Sequence, residues 1–281
     1  MGIVNVTPDS FSDGGAFLDA GAAIEHARSL TAEGAEILDI GGESTRPGAE
    51  PVTEGEELRR VVPVVAGLVE LGTPAQISID TSKAAVARAA LAAGASLVND
   101  VSALRADREM AGVVAESGAE CCLMHMRGEP RTMQEDPRYE DVVDEVRAFL
   151  EERLAFATGE GIAVERIMLD PGIGFGKTEA HNLELLRRLG EIAALGRPVV
   201  IGTSRKGFLG RILARAAGRS EAVGVADRLA GTLASNVLAY ERGASVFRVH
   251  DVGPVRDALA VAAATLGERW TASDPGTTRT T

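Results

Sequence analysis

The chain alternates short apolar runs with longer Ala- and Leu-rich stretches whose apolar positions recur at helical spacing. The short runs fall at 2–6, 36–41, 76–80, 96–101, 120–126, 167–170, 198–203 and 245–250, and each reads as a strand. Strands that alternate with helices predict β–α units and a parallel sheet, because parallel neighbours need a crossover between them. Eight such units predict one (β/α)8 TIM barrel, an α/β single-domain fold that typically needs roughly 250 residues. The barrel is expected to span residues 1–270, with 271–281, rich in Thr, Ser, Asp, Pro and Gly, as a disordered C-terminal tail. Between the strands, Thr53 and Glu56 have capping-box spacing before an apolar face of Leu58, Val61, Val62, Val65, Leu68 and Val69. Thr81 or Ser82 can cap the helix carrying Val86, Ala89 and Ala90, and 142–157 and 222–240 read as longer helices.

What ends each strand is more informative than the strand itself. Asn5, Asp39, Asp80, Asn99, His125, Asp170, Ser204 and His250 sit at or just past the carboxyl ends. Parallel strands are normally apolar throughout, since helices cover them. A polar group buried there costs free energy unless it is paired. One such residue could simply cap the next helix. Eight at one end of a barrel, where barrel enzymes place their chemistry, predict an active site.

Composition narrows the partners. The net charge of −12, from 29 Lys and Arg against 41 Asp and Glu, excludes the basic stripe of a nucleic-acid binder and disfavours an anionic membrane surface. No apolar run approaches the roughly 20 residues of a membrane span. Met1 opens almost directly into Ile3-Val4-Asn5-Val6, with no signal peptide visible and little lead-in to strand 1, as a trimmed or misassigned start would leave. The two cysteines, Cys121 and Cys122, are neighbours on one strand and point to opposite faces, so a bridge is not expected and a reducing cytoplasm is. The four histidines (His26, His125, His181, His250) lack paired zinc spacing.

An acidic protein can still bind an anion where its few basic groups converge. Ser204-Arg205-Lys206-Gly207-Phe208 ends strand 7 at a helix start, the recurrent anion site of barrels. Alternation puts Arg248 and His250 on one face of strand 8. With Arg46 these are expected to form a basic cluster for a phosphate or diphosphate. Asp80, Asn99 and Asp170, with no cation expected beside them, suit a flat nitrogen-rich ring carrying N–H donors and a carbonyl. Asp170-Pro171-Gly172-Ile173-Gly174-Phe175-Gly176-Lys177 adds a glycine loop expected to be flexible. The stretch Asn5 to Gly15, with Pro8, Phe11 and a Gly pair, suits a lid. Lys206 as an aldolase-type nucleophile is the weaker reading, because it lies one step beyond the strand, in the anion-binding turn.

These residues resemble a known family. Gly2-Ile3-Val4-Asn5-Val6-Thr7-Pro8-Asp9-Ser10-Phe11-Ser12-Asp13-Gly14-Gly15 is similar to the first signature of the dihydropteroate synthases, and Gly41 to Gly48, after Asp39, to the second. Ile79-Asp80-Thr81, Val98-Asn99-Asp100, Leu123-Met124-His125-Met126, Asp170-Pro171-Gly172, Ser204-Arg205-Lys206 and Arg248-Val249-His250-Asp251 also match, in order.

The resemblance implies condensation of (7,8-dihydropterin-6-yl)methyl diphosphate with 4-aminobenzoate, giving 7,8-dihydropteroate and diphosphate. It implies catalytic roles for Asp80, Asp170, Lys206, Arg248 and His250. Asp80, Asn99, Asp170 and Lys206 would hold the pterin, with Met124 packed against it. Asn5, Arg248 and His250 would hold the diphosphate, Asn5 also meeting Mg2+. Asp9, Phe11, Ser12, Thr45, Arg46 and Pro47 would form the lid and bind aminobenzoate, with Phe175 and Lys206 lining its pocket. It further implies a homodimer through barrel helices and sulfonamides as aminobenzoate mimics. One departure stands out: where the family often has a serine after the lysine, this chain has Gly207, which predicts a weakened contact to the aminobenzoate carboxylate. The alternatives are a pterin-dependent corrinoid methyltransferase, which would need neither the lid nor the anion site, and a non-catalytic pterin-binding barrel.

Overall fold

Eight strands, β1 (Gly2–Asn5), β2 (Ile37–Gly41), β3 (Gln76–Asp80), β4 (Leu97–Asp100), β5 (Glu120–Met124), β6 (Ile167–Asp170), β7 (Val199–Ile201) and β8 (Ala244–Phe247), pair in parallel in chain order. The computed structural model describes residues 1–7, 20–44, 50–129 and 131–267. Gly2 pairs in parallel with Val249, and the Ile3 N–H donates to Val249 O at 3.0 Å, so the last strand meets the first and the sheet closes. The expected barrel is therefore the observed one.

Helices α1 (Ala20–Ala32), α2 (Glu54–Glu70), α3 (Ala84–Ala92), α4 (Met110–Ser117) and α5 (Val142–Gly159) follow the first five strands. Then come α6 (Glu179–Arg187), α7 (Leu189–Ala193), α8 (Gly207–Ala216), α9 (Leu229–Glu241) and α10 (Val252–Thr265). Alternate strand residues point outward into a core shared with these helices, among them Val4, Leu38, Ile40, Ile77, Ile79, Val98, Leu123, Leu169 and Ile201. Their neighbours point into the barrel, where Leu97, Cys122, Met168 and Val200 pack together with Ile37 and Val246 against them. Cys121 and Cys122 accordingly lie in different cores and are both free, as the alternation predicts. One step further along the inward series the apolar layer gives way to Asp39, Ser78, Asp80, Asn99, Met124 and Asp170.

Several local expectations are corrected. Strands 1, 4, 5, 7 and 8 end one to three residues earlier than the apolar pattern suggests, because the pattern runs on into residues that leave the ladder to build the mouth. The Thr53 side chain caps α2 through Glu56 N at 3.3 Å, but Glu56 turns to Arg60 at 2.9 Å, so only half of the capping box forms. Neither Thr81 nor Ser82 caps α3. Lys83 occupies that position without a side-chain cap, and Asp107 accepts from Ala84 N at 2.9 Å instead. The stretch at 222–240 is helical in α9 only from Leu229, after a 3-10 turn at Val225–Arg228. The tail at 271–281 lies outside the described residues. Among the described residues, no helix is long and apolar enough to cross a membrane.

Candidate active site

Asp39, Ser78, Asp80, Asn99 and Arg248 form one connected network at the carboxyl end of the barrel. Asp39, fully buried, accepts from Ser78 Oγ at 2.7 Å, from Asn99 Nδ2 at 3.0 Å and from Arg248 Nε at 2.6 Å. Arg248 uses its other edge on Asp80, with Nη2 2.7 Å from Oδ2. Strand register explains the convergence: Asp39 pairs with Ser78 and Asp80 with Asn99, while Arg248 arrives from across the closed barrel. Two expectations are corrected here. The carboxylates do have a cation beside them, and Arg248 is committed to them and not free in an anion cluster.

The electrostatics follow from burial and from this bridge. Burial raises the Asp80 carboxyl to about 7, with Arg248 opposing and Asp39 reinforcing the rise. Burial alone would lower the Arg248 value, but Asp39 and Asp80 outweigh it and hold the guanidinium charged. Asp170, 6% exposed, is likewise raised by burial, against the pull of Lys206 and of the Gly172 N–H that it accepts at 2.6 Å. The Lys206 ammonium is lowered to about 8 by burial, with Asp170 partly restoring it.

Lys206 is delivered by a local backbone device. Arg205 takes a left-handed conformation (φ 59°), unusual away from glycine. That kink sends its side chain into a two-pronged pair with Asp251 at 2.5 and 3.0 Å, while Thr232 Oγ1 accepts from its N–H and Arg228 donates to its carbonyl. The next side chain, Lys206, crosses to the β6–α6 loop, donating to Ile173 O and lying over the Phe175 ring at 4.6 Å. Arg205 is therefore spent on Asp251. Gly207 opens α8, so its backbone N–H stands at a helix start of ten residues.

His250 keeps its place near the mouth, its Nδ1 3.0 Å from Ser204 Oγ. Met124 is buried, 4% exposed, at the end of β5 and opposite Asp170 in register. His125 does not join the site. It belongs to the outward series, edge-on to Phe149 of α5 at 4.9 Å between ring centres. The loop expected to be flexible is tied down: Gly174 N donates to Asn182 Oδ1 at 2.7 Å, and Ile173 O is taken by Lys206. Its glycines are required there, because a Cβ on Gly172 (φ +68) would lie 1.8 Å from His125 O. Asp9, Phe11, Ser12, Thr45, Arg46 and Pro47 lie outside the described residues.

Among the described residues, no group of three His, Cys, Asp or Glu is placed to hold a metal ion. Asn5, at the end of β1, offers one amide oxygen. That donor set fits Mg2+ only as an ion carried largely by phosphate oxygens, the usual way this hard cation is bound.

A family model described as pterin binding enzyme matches residues 1–250. The chain belongs to the dihydropteroate synthases. It is 45% identical to the dihydropteroate synthase of Escherichia coli (strain K12) over 269 residues, 96% of this chain and 92% of that one. The Xanthomonas albilineans dihydropteroate synthase, solved with 4-aminobenzoic acid, superposes with a TM-score of 0.86 at 48% identity, covering 94% of this chain and 92% of that one. The Yersinia pestis dihydropteroate synthase, solved in a sulfonamide drug complex, gives a TM-score of 0.87 at 42% identity, covering 95% and 93%. Within the family frame, Asp39 does more than a polar strand end implies. It was visible as a polar strand end, but its role as the acceptor joining Asn99 to Arg248 depends on contacts across 60 and 209 positions.

Proposed function

We propose that this member of the family condenses (7,8-dihydropterin-6-yl)methyl diphosphate with 4-aminobenzoate, giving 7,8-dihydropteroate and diphosphate. The observation that carries the reading is the junction of Asp39, Asp80, Asn99 and Arg248 beside Asp170 and Lys206. Asp80 and Asp170 accept N–H groups of the pterin, Asn99 supplies a paired donor and acceptor, and Lys206 meets a ring carbonyl or nitrogen, with Met124 beneath the ring. Each of these groups is already oriented by a protein partner, so little is lost in arranging them when the substrate enters.

In the reaction the C–O bond to diphosphate breaks, and its electron pair leaves with the diphosphate. The aromatic amine forms the new C–N bond and releases one proton. Asp80 and Asp170 stabilise the positive charge left on the pterinylmethyl group, in a site where water is scarce and such charges act strongly. Asn5 and His250 would receive the diphosphate, and Arg248 would reach it only by giving up part of its hold on Asp39 or Asp80. Mg2+, held by Asn5 and diphosphate oxygens, would supply further charge neutralisation on the leaving group. Aminobenzoate would lie along Phe175 and Lys206 with its carboxylate at the α8 N-terminus by Gly207, and Asp9, Phe11, Ser12, Thr45, Arg46 and Pro47 would cover it. Sulfonamides compete for that position.

The same reading makes the protein a cytoplasmic homodimer that binds neither nucleic acid nor membrane. Two buried free thiols and the net charge of −12 support the compartment and the absence of polyanionic partners. Exposed Leu238 on α9 and Val261 on α10, 44% and 67% accessible, support pairing through barrel helices. The test is diphosphate release from the pterin substrate, with and without 4-aminobenzoate and Mg2+. Release coupled to both, with dihydropteroate formed, is expected. Binding without release, or methyl transfer to a corrinoid protein, overturns the reading.

A further inference from the structure

The β6–α6 loop carries a buried amine that the chemistry above leaves unused. Lys177 is 2% exposed. Its Nζ lies 2.9 Å from His125 Nδ1, 3.0 Å from Phe175 O and 3.4 Å from His125 O. Among the described residues, its hydrogen-bond partners are thus one imidazole nitrogen and two carbonyls, and none is a carboxylate. An amine in such a place is costly, since taking it from water is offset only by well-directed bonds. A methionine would fill the slot at lower cost. What the amine adds is a three-way strap from the end of β5 to the peptide that carries Phe175.

The surroundings show why that peptide matters. Four successive carbonyls, from Ile173 to Gly176, are each taken by a side chain: Lys206 on Ile173, Gln134 on Gly174, Lys177 on Phe175 and Tyr139 on Gly176. Gln134 and Tyr139 reach in from the β5–α5 connection, and Lys206 reaches in from the site. Lys177 alone acts from within the loop, and it ties the loop to His125, 52 positions away. His125 is suited to be the fixed end. Burial pushes its ring down to about 2, with Lys177, Arg105 and Arg127 adding to that, so it remains an uncharged partner at working pH. Burial also pulls the Lys177 amine well below its ordinary value, against the opposing charge of Asp170. Phe149 also packs edge-on against it.

We propose that Lys177, anchored on His125, is a positioning residue that fixes the Phe175 wall and thereby the discrimination of the site for 4-aminobenzoate. This rests on the reading that aminobenzoate lies along Phe175 and Lys206. The pterin groups Asp80 and Asn99 hang from β3 and β4, outside the strapped loop. Releasing the strap therefore moves the aminobenzoate wall and leaves the pterin groups Asp80, Asn99 and Met124 untouched, while Asp170 and Lys206 keep their own bonds to Gly172 N and Ile173 O.

The experiment is steady-state kinetics on Lys177→Met, Phe175→Ala and the double variant, varying each substrate in turn. Lys177→Met is expected to raise the KM for 4-aminobenzoate about tenfold or more, with the KM for the pterin diphosphate within about twofold, as a displaced contact surface predicts. In the Phe175→Ala background the same change should add almost nothing, because the wall it positions is gone. A purely structural lysine would instead lower the melting temperature and leave both KM values alone. Equal effects on the two KM values, an unchanged aminobenzoate KM, or full additivity with Phe175→Ala overturns the proposal. Should Lys177→Met not fold, His125→Asn removes the anchor and carries the same expectation and the same refutation. Absence of condensation by the parent protein sinks the functional reading itself, an outcome distinct from turnover with unaltered KM values.

Discussion

Asp80→Asn should make the protein more stable while disabling it, and the gain should depend on pH in a defined direction. The folded carboxyl has a value near 7 against 3.8 for an ordinary one, because it is buried beside Asp39. A raised folded value means that the folded state holds its proton where the unfolded chain has lost it. The stability associated with that proton is full below about pH 3.8, falls as pH rises, and is lost once the folded group ionises near 7. At about 1.4 kcal/mol per unit, the ceiling on the loss is about 4 kcal/mol. Asp80 is 12% exposed and faces the mouth, so some water reaches it, and the working figure is about 2 kcal/mol. The amide keeps an oxygen for Arg248 and removes the charge, so the variant avoids this loss. The assay is thermal melting of parent and variant from pH 4.5 to pH 8.5. The gap should widen up to about pH 7 and then level off at roughly 4–8 °C. Turnover should fall by about a hundredfold, for loss of a charge-assisted acceptor of the pterin. A gap that stays constant, narrows with pH, or has the parent more stable at pH 8 refutes the reasoning.

Asp39→Ala should act in the opposite sense, since Ser78, Asn99 and Arg248 all lose their shared acceptor; about 3 kcal/mol of stability should go in a denaturant titration, and an unchanged midpoint would contradict the network. Gly207→Ser should lower the KM for aminobenzoate, because among the described residues the added Cβ meets only Arg211 Nη1 at 3.6 Å and the hydroxyl gains a place at the α8 start; an unaltered KM counts against that placement. With Asp80 near 7 and Lys206 near 8, kcat/KM should fall on both sides of a narrow optimum, rising as Asp80 ionises and dropping as Lys206 loses its proton. Lys206→Arg should carry the basic limb beyond pH 10 whatever its absolute rate, and a limb that stays near 8 would assign it to another group.

The barrel was legible because its signal is local. Each strand announces itself by an apolar run, each crossover by helical spacing, and the polar strand ends by simple position. Parity along the strand puts His125 on the face of Cys121 and Leu123, turned toward α5 and away from the mouth. Other features depend on distances that no local pattern encodes. Arg248 looks from sequence like a free cation beside His250, and only the closed barrel places it between Asp39 and Asp80. The loop from Gly172 to Gly176 reads as flexible from its glycines, yet those glycines serve close approach to His125 and Arg127, and four side chains from three places hold its carbonyls. The start of α9 was misplaced for a related reason. Residues before Leu229 have helical composition, but Arg228 is drawn away to the carbonyls of Arg205 and Val223.

The seam between β8 and β1 has a consequence for how the molecule comes into being. The Met1 amino group donates to Phe247 O and the Val249 N–H to Met1 O, pairing residues 246 positions apart and more. Closing so long a loop costs entropy before any contact repays it, so contacts of this kind form late. Asn5 lies on one side of that seam and Arg248 on the other. During synthesis the first strand waits, unpaired along one edge, until β8 has emerged. Asn5 and Arg248 are therefore brought together only when the barrel closes, whereas Asp80, Asn99 and Asp170 stand on strands that precede the seam.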